Sequence, residues 1–120
     1  MANSVVWCDI PVLDLNRAVR FYSAVLGTDV QKQEFQGMAF GLLPHVESGV
    51  AGCLYTSPTD KPSDHGPLVY LNVEGRHEKA EAAVAGNGGK VVKSKHQIGP
   101  HGFRSIILDS EGNRMALHSR

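Results

Sequence analysis

A strand, a helix, a glycine stop and a second strand occur twice in this chain, 61 positions apart. The segment DLNRAVRFYSAVLG, Asp14 to Gly27, places Leu15, Ala18, Val19, Tyr22, Val25 and Leu26 at helical spacing, which makes one apolar stripe. Asp14 is suited to cap the first turn through its carboxylate, and Gly27 to close the last turn in a left-handed conformation. Val12 to Gly27 spans 15 positions, and so does Val73 to Gly88; Val30 then corresponds to Val91. Repetition at one offset predicts two fused copies of a single module.

At 120 residues the chain has room for one domain built of two small halves. Roughly 60 residues bury too little surface to be stable alone, so the halves are expected to share a core. Lys plus Arg equal Asp plus Glu, at 12 each, and no basic run exceeds a few residues. The charge pattern therefore gives no support for nucleic acid or an anionic membrane as a partner. No apolar run approaches the ~20 residues of a membrane span. MANSVVWCDIPV has neither the basic start nor the long apolar stretch of a signal peptide. Cys8 and Cys53 read as two buried thiols in a reducing, cytoplasmic setting.

Along the chain, strands are predicted at Val5–Val12, Thr28–Phe35, Gly37–Leu43 and Gly49–Thr56, with the first helix at Leu15–Leu26. SPTDKPSDHGP, Ser57 to Pro67, has three prolines and reads as a linker. It separates module one (about 4–56) from module two (about 68–119) of a single domain covering 1–120. In the second module, strands are expected at Leu68–Val73, Lys90–Lys93, Phe103–Leu108 and Arg114–His118, with a helix at about Arg76–Ala85. DSEGN, Asp109 to Asn113, supplies the turn of a hairpin. The fold class is α+β: two βαβββ modules forming a cupped mixed sheet, with helices on the outer face and the other face lining a concavity.

This order, together with D-L-x-R-A-x-x-F-Y-x-x-V-L-G in the first helix and D-x-E-G-N-x-x-x-L before the last strand, resembles the vicinal oxygen chelate superfamily. That is the glyoxalase, bleomycin-resistance and extradiol-dioxygenase group, and the likeness runs from Val5 to Ser119. The resemblance implies paired modules curled into a cup, commonly closed by dimerisation. It also implies four metal ligands, usually His and Glu, on four strands. The corresponding positions hold Trp7, Leu68, Cys53 and Ala116. Three of these lack a lone pair suited to a divalent cation, so no metal and no other cofactor is expected.

What remains to line the cup is Trp7, Asp9, Phe40, Tyr55, Tyr70, Phe103, Arg114 and His118. Trp7 either offers a stacking surface with one N–H donor or plugs the cup. Asp9 either acts as a general base, its pKa raised by an apolar cavity, or pairs with Arg114 or Arg104. Arg114 and His118 alternate with Ala116 and are candidates for anion recognition. His96 and His101, in HQIGPHGF, read as a polar lip over the cup rather than a metal site. His45, His65 and His77 are expected in solvent, and GNGG is a helix stop, not a phosphate loop. The expected function is metal-independent binding of a small apolar or aromatic molecule by a homodimer. The alternatives are a lyase or isomerase of a small carbonyl compound using Asp9 as acid/base, and a non-catalytic paralogue with a filled cup.

Overall fold

The computed structural model describes residues 3–120, and Asp14 begins its first helix as the spacing predicts. The Asp14 carboxylate accepts the Arg17 backbone N–H at 3.0 Å, and Gly27 ends the helix at φ 71° while donating to the Ser23 carbonyl. Only glycine serves at position 27: a Cβ there would also lie 2.6 Å from the Arg76 guanidinium, which is laid over the helix end. Module one comprises β1 (Trp7–Pro11), α1 (Leu15–Leu26), β2 (Gln31–Phe35), β3 (Met38–Leu42) and β4 (Ala51–Tyr55). Module two comprises β5 (Val69–Asn72), α2 (His77–Gly86), β6 (Lys90–Gln97), β7 (Phe103–Leu108) and β8 (Arg114–Ser119). One 3-10 turn at Gly99–His101 links β6 to β7. β6 runs four residues beyond the expected Lys93, while β1 to β5 are each shorter than expected.

Each module makes its own four-stranded mixed sheet, ordered β1-β4-β3-β2 and β5-β8-β7-β6. The first and last strands of each module, β1 with β4 and β5 with β8, run parallel; the other neighbours are antiparallel. Among the described residues, no backbone ladder joins the two sheets. α1 and α2 pack against each other and against the sheets, and one core draws on both halves: Ile10, Val12, Phe21, Tyr22, Val25 and Leu54 meet Leu71, Val73, Val84, Ile107 and Leu117. Phe21, absent from the predicted stripe, is fully buried and meets Tyr22 edge-on at 5.1 Å.

The halves are pinned by the turn between β7 and β8. The Tyr22 hydroxyl donates to the Asp109 carboxylate at 2.5 Å, and Asn113 Nδ2 donates to the Pro11 carbonyl at 2.8 Å. Glu111, with its side chain fully buried, accepts the backbone N–H groups of Leu13 and Asp14, both at 2.9 Å. It also accepts Arg17 Nε at 2.7 Å and Nη2 at 2.8 Å. A carboxylate from module two thus takes the backbone N–H groups of the N-cap residue and of the residue before it, at the end of the module-one helix where the dipole favours an anion. Among the described residues, no helix is long and apolar enough to cross a membrane.

Candidate functional site

The side chains left outside this core settle on the sheet faces that the helices do not cover. On the first sheet, Asp9 pairs in register with Cys53, and Phe40 with Tyr55. Trp7 Nε1 donates to Asp9 Oδ1 at 2.6 Å and the Cys53 thiol donates to the same oxygen at 3.4 Å. Burial, then the hydrogen bond to Asp9, pushes the Cys53 thiol up to about 11, so it is a poor nucleophile at neutral pH. Tyr55 donates to Asp60 at 2.9 Å, and that bond raises its hydroxyl to about 12. Asp9 therefore takes its partners from the indole and the thiol, and neither Arg104 nor Arg114 forms an ion pair with it. Trp7 is 46% exposed, which places it at a surface instead of in a plugged interior. Cys8 lies one residue along the strand, on the opposite face from Cys53, and both are free thiols.

On the second sheet, Tyr70 stands opposite Ala116, Asn72 opposite His118, and Arg104 opposite His118 from the other side. Tyr70, Ile98, His101, Arg104 and His118 surround a cavity of about 470 Å³. The Arg104 guanidinium donates from Nη1 to the Tyr70 hydroxyl at 2.8 Å and from Nε to His96 Nε2 at 3.2 Å. For His96 to accept there, its proton must sit on Nδ1, which lies 2.9 Å from the Ser94 carbonyl, so one tautomer satisfies both contacts. His118 Nε2 lies 2.7 Å from the His101 carbonyl and holds the lip segment over the cavity. Gly102, at φ 100°, lets that segment turn back, since a Cβ there would run into the Ser119 backbone.

Three expected positions take other roles. Phe103 pairs with Ser119 on the helix-facing side, where Lys95 Nζ lies 4.8 Å from its ring centroid; the neighbouring Arg104 occupies the open face in its place. Arg114 shares the open face of β8, but its Nη2 donates to the Gly66 carbonyl at 3.1 Å and its backbone N–H to Ser63, which ties it to the linker. His77 is not in solvent: it is 2% exposed, with Nδ1 2.6 Å from Ser119 Oγ and Nε2 2.7 Å from Ser105 Oγ. Burial, then the nearby Lys95 charge, pushes its pKa down.

A larger cleft of about 590 Å³ lies between the edge strands β1 and β5. Its walls include Cys8, Ile10, Leu26, Leu43, Val50 and Leu71. Its lining also carries Thr28, His45, Tyr70 and Asn72 but no permanently charged side chain, whereas the smaller cavity has the Arg104 guanidinium beside the Tyr70 hydroxyl. The chemistry therefore favours the smaller one. As for a metal, the four positions implied by the sequence resemblance hold Cys53 as their one donor side chain. Among the described residues, no group of three or more His, Cys, Asp or Glu could hold an ion. The residues present do not fit a divalent cation.

Comparison with known proteins matches this geometry. A solved glyoxalase/bleomycin resistance protein from Albidiferax ferrireducens superposes with a TM-score of 0.75 at 17% identity, covering 98% of this chain and 99% of that one. Another glyoxalase/bleomycin resistance protein, from Streptomyces sp., gives a TM-score of 0.67 at 22% identity, covering 96% and 99%. A "Glyoxylase-like domain-containing protein" of Didymella fabae is 31% identical over 126 aligned positions, covering 93% of this chain and 90% of its relative. Residues 4–117 match the profile of the Glyoxalase/Bleomycin resistance protein/Dioxygenase superfamily, and the chain belongs to that superfamily.

Proposed function

We propose that this protein binds a small organic molecule without the help of a metal, on the open face of the second sheet. The observation that carries the reading is the cavity of about 470 Å³ walled by Tyr70, Ile98, His101, Arg104 and His118. A pocket of this size, with an aromatic wall and a few convergent polar groups, suits a ligand of one or two rings. Trp7, Phe40 and Tyr55 extend the aromatic surface on the first sheet, and Asp9 lies among them as a polar group. Trp7 and Tyr70 are 46% and 44% exposed, which supports an open face over a filled one. The donor-poor set Trp7, Leu68, Cys53 and Ala116 supports metal independence.

The same exposure supports a homodimer in which a second copy covers part of these faces. The accessible surface is 7290 Å², against about 6,300 Å² for a monomer of this mass. Two free thiols suit a reducing, cytoplasmic compartment.

The test is a titration of EDTA-treated, isotope-labelled protein with mono- and bicyclic aromatic compounds, both charged and neutral, followed by amide NMR. Saturable shifts at Tyr70, Ile98 and His118 are expected. If no compound moves these signals, or if they respond only after a divalent ion is restored, the reading is wrong.

A further inference from the structure

We infer that the ligand carries a carboxylate, received by Arg104 Nη2 and the Tyr70 hydroxyl; this rests on small-molecule binding at the second sheet. An arginine has five N–H donors. Here Nε is spent on His96 and Nη1 reaches Tyr70, while Nη2 makes no hydrogen bond among the described residues. Tyr70 accepts from Arg104, so its own O–H is left to donate. His118 turns Nε2 towards the His101 carbonyl, another contact that uses a donor of the wall on the lip. Two unspent donors therefore line this cavity, Arg104 Nη2 and the Tyr70 O–H, beside the acceptor Nδ1 that His118 keeps when its Nε2 donates; what fits the donor pair is an acceptor.

The charge balance points the same way. Arg104 forms no ion pair among the described residues; its two partners are a neutral imidazole and a phenol. No acid stands among the lining residues Tyr70, Ile98, His101, Arg104 and His118. A half-buried guanidinium without a counter-ion favours an anion from outside, and its free Nη2 beside the Tyr70 hydroxyl offers one donor to each of the two oxygens of a carboxylate. Arg104 is the one permanent cation of the lining, so a monoanion matches it better than a doubly charged phosphate. Ile98 and the Tyr70 ring then face the apolar body of the ligand. The site thus takes an arene or short aliphatic carboxylate.

The experiment compares 2-naphthoate with 2-naphthamide, which has the same shape and no charge, and includes inorganic phosphate as a third arm. Amide NMR titrations are run on the full chain, on Arg104→Gln and on Tyr70→Phe. The acid is expected to bind at least about tenfold more tightly than the amide, with shifts centred on Tyr70, Arg104 and His118. Arg104→Gln should erase that preference, and Tyr70→Phe, with a dispersed native spectrum, should reduce it severalfold. Phosphate should not displace the acid at equal concentration. Equal affinity for acid and amide overturns the carboxylate while leaving small-molecule binding intact. An undiminished preference in Arg104→Gln, or displacement by phosphate, overturns it too. If neither naphthalene shifts this face, the small-molecule reading falls with it.

Discussion

Replacing Glu111 by glutamine keeps the shape of the side chain and removes its charge, which isolates what the carboxylate contributes to joining the two modules. Burial on its own would raise this carboxyl. The Arg17 guanidinium, the Asp14 N–H, the Ser110 hydroxyl and the Leu13 N–H outweigh burial and hold it at about 2. Against roughly 4.3 in an unfolded chain, at about 1.4 kcal/mol per unit, that depression corresponds to ~3 kcal/mol of folding free energy at neutral pH. Arg17 is 43% exposed, so solvent screens its share, and about 2 to 3 kcal/mol is expected. A depressed carboxyl stabilises fully above its unfolded pKa and loses that contribution as pH falls through the folded one. The window is therefore about pH 4.5 down to 2, and roughly half the contribution should be gone at pH 3. Urea unfolding followed by circular dichroism, on the native chain and Glu111→Gln at pH 7 and pH 3, measures it. In the variant the carboxamide nitrogen faces Arg17 and Ser110, so the full loss should appear at pH 7 and a clearly smaller one at pH 3. A loss under about 0.5 kcal/mol at pH 7, or one of the same size at both pH values, would refute the argument.

Two further outcomes follow from groups shifted in the folded state. With its thiol at about 11, Cys53 in a Cys8→Ser background should react with iodoacetamide at pH 8 about a hundredfold more slowly than free cysteine; a rate within threefold of free cysteine contradicts the geometry around Asp9. His77 is held neutral by burial, so its folded pKa lies below the unfolded one. Its contribution is complete above about pH 6.5 and is lost as pH falls below that. Imidazole NMR should show His77 titrating below the ordinary histidine value of about 6.5, and titration at that value would disprove its burial.

The first helix was legible in the sequence because its determinants are local: an N-cap, a 3.6-residue stripe and a left-handed glycine all lie within Asp14–Gly27. The duplication was legible for the same reason, being a comparison of two local patterns. The faces of β7 were not. FRSIIL alternates Phe, Ser and Ile against Arg, Ile and Leu, so both faces mix polar with apolar, and alternation alone does not say which is inward. The choice is made from a distance: His77, on the first turn of α2, reaches Ser105 and Ser119, and so turns Phe103 inward and Arg104 outward. The clue was the pairing of β7 with β8, which sets Arg104 beside His118. Strand β6 outran its predicted end because its polar half pairs with β7 through two register shifts, a ladder held by backbone hydrogen bonds and not by hydrophobic alternation. Arg114 was lost to the linker through Ser63 and Gly66, long-range contacts that no spacing within β8 encodes.

Among the described residues the two sheets share no ladder, so each pairs its strands within its own module while both depend on the one shared core. Duplicated halves built this way are free to diverge in electrical character while retaining a common core. That divergence is visible in the finished molecule: the open face of the first sheet holds Asp9, with Asp60 at its Tyr55 edge, while that of the second holds Arg104, with His96 and His118 beside it. The repeat keeps one strand order in both halves and differs in charge, so a ligand approaching the molecule meets two surfaces of opposite character.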